Sequence, residues 1–384
     1  MSTLRVSGRC VNADREFDAS IEINAETGLI ETIGPAGARP APFLGGTLQK
    51  GGASDIDTKN CLIFPGFVDV HVHAREDQSG RENYKEDFVS VSRAATNGGV
   101  THIADMPNNP VAPVDDARYR AKQELAKKAL VDITLYAGIG PGTRPLSSLV
   151  PYKVFMGPSV GDLFFTSRGA LEETIHEYRG ASVSFHCEDP EILESHKGEA
   201  THEARRPREA EIAAIDFALA LIERYGLTGK ICHLSTAEGL KKIMDAKTRG
   251  VPVTVEITPQ HLFFDEGMIT EENRRLRELN PPFRAAEDRA ALTEALRRGE
   301  IDCLASDHAP HTPEEKIKGV SGIPFLDTYG PFTAWLIKEH GFSPQDIARV
   351  CAYNPGRFVN AFRKKGDPGK GFGKIEEGYV GSLT

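Results

Sequence analysis

A chain of 384 residues, 40% hydrophobic and 26% charged, has the make-up of an ordinary globular protein with one large domain and a small companion. Its formal charge of −9 leaves no basic footprint for nucleic acid or an anionic membrane. No apolar run approaches the ~20 residues that span a bilayer, residues 1–12 lack a signal-peptide core, and the six scattered cysteines have no Cys-x-x-Cys spacing, so a cytoplasmic protein is expected.

Residues 1–64 read as the N-terminal part of a small β domain, with strand-like pieces at 4–11, 17–23 and 29–33 and a loose Gly/Pro-rich stretch at 34–52. From residue 65 the pattern becomes strand then helix, repeatedly. Apolar β-rich runs fall at 67–71, 100–106, 132–137, 152–156, 182–186, 230–234, 251–258 and 302–307. Helical patterns lie between them at 84–97, 115–130, 168–178, 206–225, 237–248 and 286–298, most ending near a glycine. Eight alternating units predict an α/β fold, a closed (β/α)8 barrel of the TIM type over 65–354. A doubly wound sheet is less favoured, because no early strand is followed by a Gly-x-Gly-x-x-Gly turn. Helices are expected at 329–340, 344–352 and 354–363, and the β-like tail 373–384 returns the C-terminal part, 355–384, to the small domain.

A barrel of this kind carries its chemistry at the C-terminal ends of its strands. His71 and His73, which alternation puts on one side of the first strand together with Asp69, lie at such an end. So do His186 on the fifth strand, His233 on the sixth and Asp307 on the eighth, with Lys153 on the fourth. Four histidines and an aspartate exceed the needs of one tetrahedral ion and point to two. Such a pair needs a bridge, and the fourth strand offers only Lys153, whose ammonium would repel the ions unless carbon dioxide converts it to a carbamate. Cys187 and Cys232, each next to a histidine in a strand, read as packing residues on the opposite face.

These residues sit in longer motifs: Asp-Val-His-Val-His-Ala-Arg at 69–75, Lys-Glu-Asp at 85–87, Met-Pro-Asn at 106–108, His-Leu-Ser-Thr at 233–236, Asn-Pro-Pro-Phe-Arg at 280–284 and Ser-Asp-His-Ala-Pro-His at 306–311. With them the chain resembles the dihydroorotases of the amidohydrolase superfamily over nearly its whole length. The resemblance implies reversible hydrolysis and cyclisation between dihydroorotate and N-carbamoyl-aspartate, in pyrimidine biosynthesis. It implies two Zn2+ ions, one on His71, His73, Asp307 and N-carboxylated Lys153, the other on Lys153, His186 and His233, with a hydroxide between them and Asp307 as the proton shuttle. Arg75, Asn108 and His311 match the family's binders of the substrate carboxylate, and Asn280 and the backbone around Gly322 would face the ring. A homodimer and association with aspartate transcarbamoylase are compatible with it. His102 and His261 match no role and are expected to pack.

The chain also departs from the family. Residues 76–84 lack a Pro-Gly pair and run about three residues longer, Phe325 stands where glycine is common, and the sequence stops at Gly-Ser-Leu-Thr. The rivals are another cyclic amidohydrolase of the dihydropyrimidinase or allantoinase type, and an inactive dihydroorotase-like scaffold subunit. The intact ligand set disfavours the scaffold, and Arg75, Asn108 and His311 together disfavour the other amidohydrolases.

Overall fold

Alternating apolar residues near the N-terminus build a four-stranded sheet. A computed structural model describes residues 3–35, 55–159 and 161–384, so the stretch expected to be loose at 34–52 lies, beyond Pro35, outside the described residues. The strands β1 (Thr3–Val11), β2 (Glu16–Asn24), β3 (Ile30–Pro35) and β4 (Asp55–Ile63) pair in the order β3-β2-β1-β4. Val6, Cys10, Ile21, Ile23, Ile30 and Ile63 form its core together with Ile375 from the far end of the chain. The tail pairs there as well, through antiparallel bridges Leu29 to Val380 and Pro65 to Leu383. Asn12 fixes the approach by exchanging side-chain hydrogen bonds with the Ile375 backbone at 2.9 and 3.0 Å.

Parallel strands β5 (Phe67–Val72), β6 (Val100–Asp105), β7 (Asp132–Leu135), β8 (Ala137–Ile139), β9 (Tyr152–Phe155), β10 (Ser182–His186), β11 (Thr228–Ile231), β12 (Val253–Ile257) and β13 (Cys303–Leu304) then form two sheets, β5-β6-β7 and β13-β12-β11-β10-β9-β8. They are one barrel. β7 and β8 are the expected third strand broken at Tyr136, whose amide still bonds Asp105 O at 3.0 Å, and a parallel bridge from Val72 to His308 closes the ring. The helices cover its outside; along Arg208–Tyr225, for example, Ala214, Ile215, Ala218, Leu219 and Ile222 are buried at helical spacing. Val68 and Val70 belong to one small buried cluster and Met106 and Tyr136 to another, and Phe358 packs against both.

Several boundaries differ from the sequence reading, four of them informatively. The first helix is Phe88–Asn97 rather than 84–97, because Asp87 accepts from Val89 N and Ser90 N while Ser90 Oγ accepts from Asp87 N, a capping box that starts the helix there. The sixth strand ends at Ile231 and the eighth at Leu304, since His233 (φ 35°) and Asp307 (φ 45°) turn out of extended geometry. The helix expected at 344–352 is Pro344–Ala348, followed by a π turn at Arg349–Tyr353. Among the described residues no helix is long and apolar enough to cross a membrane.

Candidate metal centre

At the C-terminal rim of the barrel, His71 is the penultimate residue of β5 and His73 follows the strand. Their Nε2 atoms lie 3.2 and 3.0 Å from the same oxygen, Asp307 Oδ1. Each ring is held from behind through Nδ1–H, His71 by the Glu256 carboxylate and His73 by Asn108 Oδ1 at 2.7 Å. The proton therefore sits on the rear nitrogen, and the forward nitrogen offers its lone pair.

A second pair stands beside the first. His186 Nδ1 and His233 Nε2 are 2.9 Å apart and aim at one position, and the His233 ring centroid is 5.3 Å from that of His71. His186 Nε2–H donates to Glu188 at 2.9 Å. Burial opposes a charge on Glu188, yet the Arg206 guanidinium holds its carboxyl down at about 2, so it remains an anion behind the imidazole. Burial likewise keeps His71, His73 and His233 well below the usual imidazole range and lowers His186. These histidines are neutral and ready to ligate. Burial raises the Asp307 carboxyl to about 7.

Lys153 is fully buried on β9, with Nζ donating to Cys232 Sγ at 2.9 Å and standing 5.1 Å from the Phe155 ring centroid. Its charge works against protonation of His71, His73, His186 and His233 alike. Cys232 is thus more than a packing residue. The strand alternation assumed for it does not apply beyond Ile231, and its sulfur turns towards the lysine.

Two groups absent from the sequence reading organise the cluster from below. Glu256 on β12, wholly buried, accepts from His71 Nδ1, from Lys230 Nζ and from His233 N at 3.2 Å. Lys230 is itself buried, and although burial would lower its pKa, Glu256 outweighs that and keeps it charged. The available signal was an ionisable residue in each of two apolar barrel strands, where an unpaired charge is costly. His102 and His261 pack as expected, the first against the Phe372 edge at 4.5 Å, the second bonded to Pro281 O at 3.1 Å.

His71, His73, Arg75, Asn108, His186, His233, Asn280, Asp307 and Gly322 line one cleft. Lys153 and His311 do not reach its wall. Arg75 is buried, with Nη2 3.2 Å from His311 Nε2 and Nε unpartnered; no carboxylate among the described residues pairs with it. Gly322, at φ 136°, sits so close that a Cβ would come within 2.7 Å of Ala309 O. The only non-glycine residues with positive φ among those described are Arg75, His233 and Asp307. Each such conformation costs about 1–3 kcal/mol and persists where surrounding structure enforces it.

Residues 62–379 match the model of the amidohydrolase family. A dihydroorotase of Pyrococcus furiosus is 34% identical over 313 residues, 81% of this chain and 70% of the relative. One of Staphylococcus epidermidis is 36% identical over 86% of this chain and 79% of its own length. Among solved structures, the L-hydantoinase (dihydropyrimidinase) of Arthrobacter aurescens superposes with a TM-score of 0.85 at 25% identity, covering 98% of this chain and 86% of that one.

Proposed function

Because the chain belongs to the amidohydrolase family, we propose that it is a dihydroorotase, a metal-dependent enzyme that interconverts dihydroorotate and N-carbamoyl-aspartate. Likeness of fold to a hydantoinase is common ground among cyclic amidohydrolases and does not choose the substrate. One observation carries the choice: the buried Arg75 guanidinium, paired with no carboxylate among the described residues and with His311 beside it, next to the cluster of metal-ligand side chains. A desolvated arginine calls for a matched anion, and dihydroorotate differs from dihydrouracil by its carboxylate.

The donor set fits metal. Neutral histidines with their rear nitrogens held, opposite a carboxylate, form a cation site, and His71, His73 and Asp307 offer three ligand atoms to one point. One Zn2+ would be held by these three and another by His186 and His233, with N-carboxylated Lys153 as a ligand available to both. The carbamate is supported by the position of Lys153: an ammonium among four ligating histidines would oppose both ions, whereas a carbamate supplies the missing anionic bridge. When bound, the two ions polarise the ring amide carbonyl and make hydroxide available near neutral pH.

The remaining steps belong to the chain's own groups. Arg75 and Asn108, which line the cleft, receive the substrate carboxylate and so fix the ring, and His311 completes that binder from behind Arg75. Asn280 and the backbone at Gly322 face the ring. Asp307, with Oδ1 turned to His71 and His73, takes the proton of the attacking water at Oδ2 and hands it to the departing ring nitrogen. In the reverse direction the same groups close carbamoyl-aspartate. Ring opening of dihydroorotate by the purified protein with zinc tests the reading; the expected result is zinc-dependent turnover, and its absence in fully zinc-loaded protein contradicts it.

A further inference from the structure

The first loop, whose longer part is 76–84, meets the helix Pro313–Ile317 through Tyr84 and the adjoining Lys85, and they meet on one side chain, Glu315. Its Oε1 accepts from Tyr84 OH at 2.6 Å and lies 3.1 Å from Lys85 Nζ. Its Oε2 lies 3.4 Å from His311 Nδ1, close but not aligned as a hydrogen bond. His311 Nε2 in turn lies 3.2 Å from Arg75 Nη2. Arginine only donates, so Nε2 is the acceptor in that contact and the ring proton sits on Nδ1, facing Glu315. The run Tyr84/Lys85, Glu315, His311, Arg75 thus reaches from the loop to the group that receives the substrate carboxylate.

We infer that Glu315 is a positioning residue that sets the orientation and tautomer of His311, and that the end of the first loop supplies Tyr84 and Lys85 to hold Glu315 in place. This rests on Arg75 and His311 as binders of the substrate carboxylate. Lys85 is buried with its head between Glu82 (2.8 Å) and Glu315, so the loop engages the helix through a shielded ion pair. Glu315 also belongs to the capping box of its helix, accepting from Thr312 N at 3.0 Å, so its loss must be separated from loss of the cap.

The test is steady-state kinetics on dihydroorotate and dihydrouracil for Glu315→Ala, Glu315→Gln, the double variant Tyr84→Phe/Lys85→Met, and Thr312→Ala as the cap control. Loss of the carboxylate that faces His311 Nδ1 predicts a KM for dihydroorotate raised about 10-fold in Glu315→Ala, with kcat changed less than about twofold. Glu315→Gln, which keeps an acceptor, should recover part of this, the double variant should move KM the same way by less, and dihydrouracil turnover and Thr312→Ala should match wild type. An unchanged KM in Glu315→Ala, or an equal loss on both substrates, overturns the inference. If Glu315→Ala does not fold, an unchanged KM in the loop double variant overturns it instead. Wild-type protein that opens dihydrouracil as readily as dihydroorotate refutes the substrate assignment, a different result from either.

Discussion

Replacing Glu256 should separate two functions that the structure joins in one carboxylate. In Glu256→Leu, the Lys230 ammonium, buried on β11, loses the one carboxylate that pairs with it among the described residues; stranding one partner of a buried pair costs about 3–5 kcal/mol. The amide of His233, 3.2 Å from Glu256 Oε1, is stranded as well, for about 1–3 kcal/mol more. His71 loses the acceptor behind its ring, and disruption of such a partner typically lowers metal affinity about 10- to 100-fold. In Glu256→Leu/Lys230→Met no buried charge is left, so the larger stability loss should vanish while the metal defect remains. Urea unfolding of metal-free protein reads the first effect and zinc competition against a chelating dye reads the second. A single variant within about 1 kcal/mol of wild type, or a double variant that regains wild-type zinc affinity, would refute the reasoning.

Lys153→Ala should lose most bound metal and activity, with partial rescue by small carboxylic acids that take the place of the carbamate; undiminished turnover would exclude that role. For metal uptake, the sign follows from Asp307: burial holds its carboxyl at about 7, so below that pH an incoming ion must displace a proton, whereas the neutral histidines release none. Zinc affinity should therefore fall more steeply, by up to about one further factor of ten per pH unit, below pH 7, on top of the proton release that carboxylation of Lys153 entails, and Asp307→Asn should remove that added steepness from competition titrations, together with at least ~10²-fold of turnover. Gly322→Ala should disable the cleft, since the added Cβ meets Ala309 O at 2.7 Å and the backbone sits at φ 136°; wild-type kinetics in that variant would show that the loop yields.

The barrel was legible because parallel strands buried on both faces leave apolar runs at regular intervals, and its ligand-type residues stood out because His71, His186 and Asp307 fall near the ends of such runs. Strand ends were less legible for the same reason that these residues are of interest. His233 and Asp307 leave extended geometry to face the cleft, and nothing in a single residue's propensity announces a positive φ at histidine or aspartate. Glu256 and Lys230 escaped notice because their partners, His71 and one another, lie 185 and 26 residues away and come together only when the barrel closes. The loop at 76–84 showed its extra length but not its destination. Its contact with Glu315 spans 231 residues.

The most direct test of the central claim compares kcat/KM for dihydroorotate and dihydrouracil in wild type and in Arg75→Met. A site built around a buried anion binder should reject the substrate lacking that anion by orders of magnitude, about 10⁴-fold where the polar groups are left unpaired. Wild type should therefore strongly prefer dihydroorotate, and Arg75→Met should lose most of that preference while leaving the slow turnover of dihydrouracil nearly unchanged. Equal rates on the two substrates in wild type, or an equal fall on both in Arg75→Met, would contradict the assignment of a carboxylate-reading dihydroorotase.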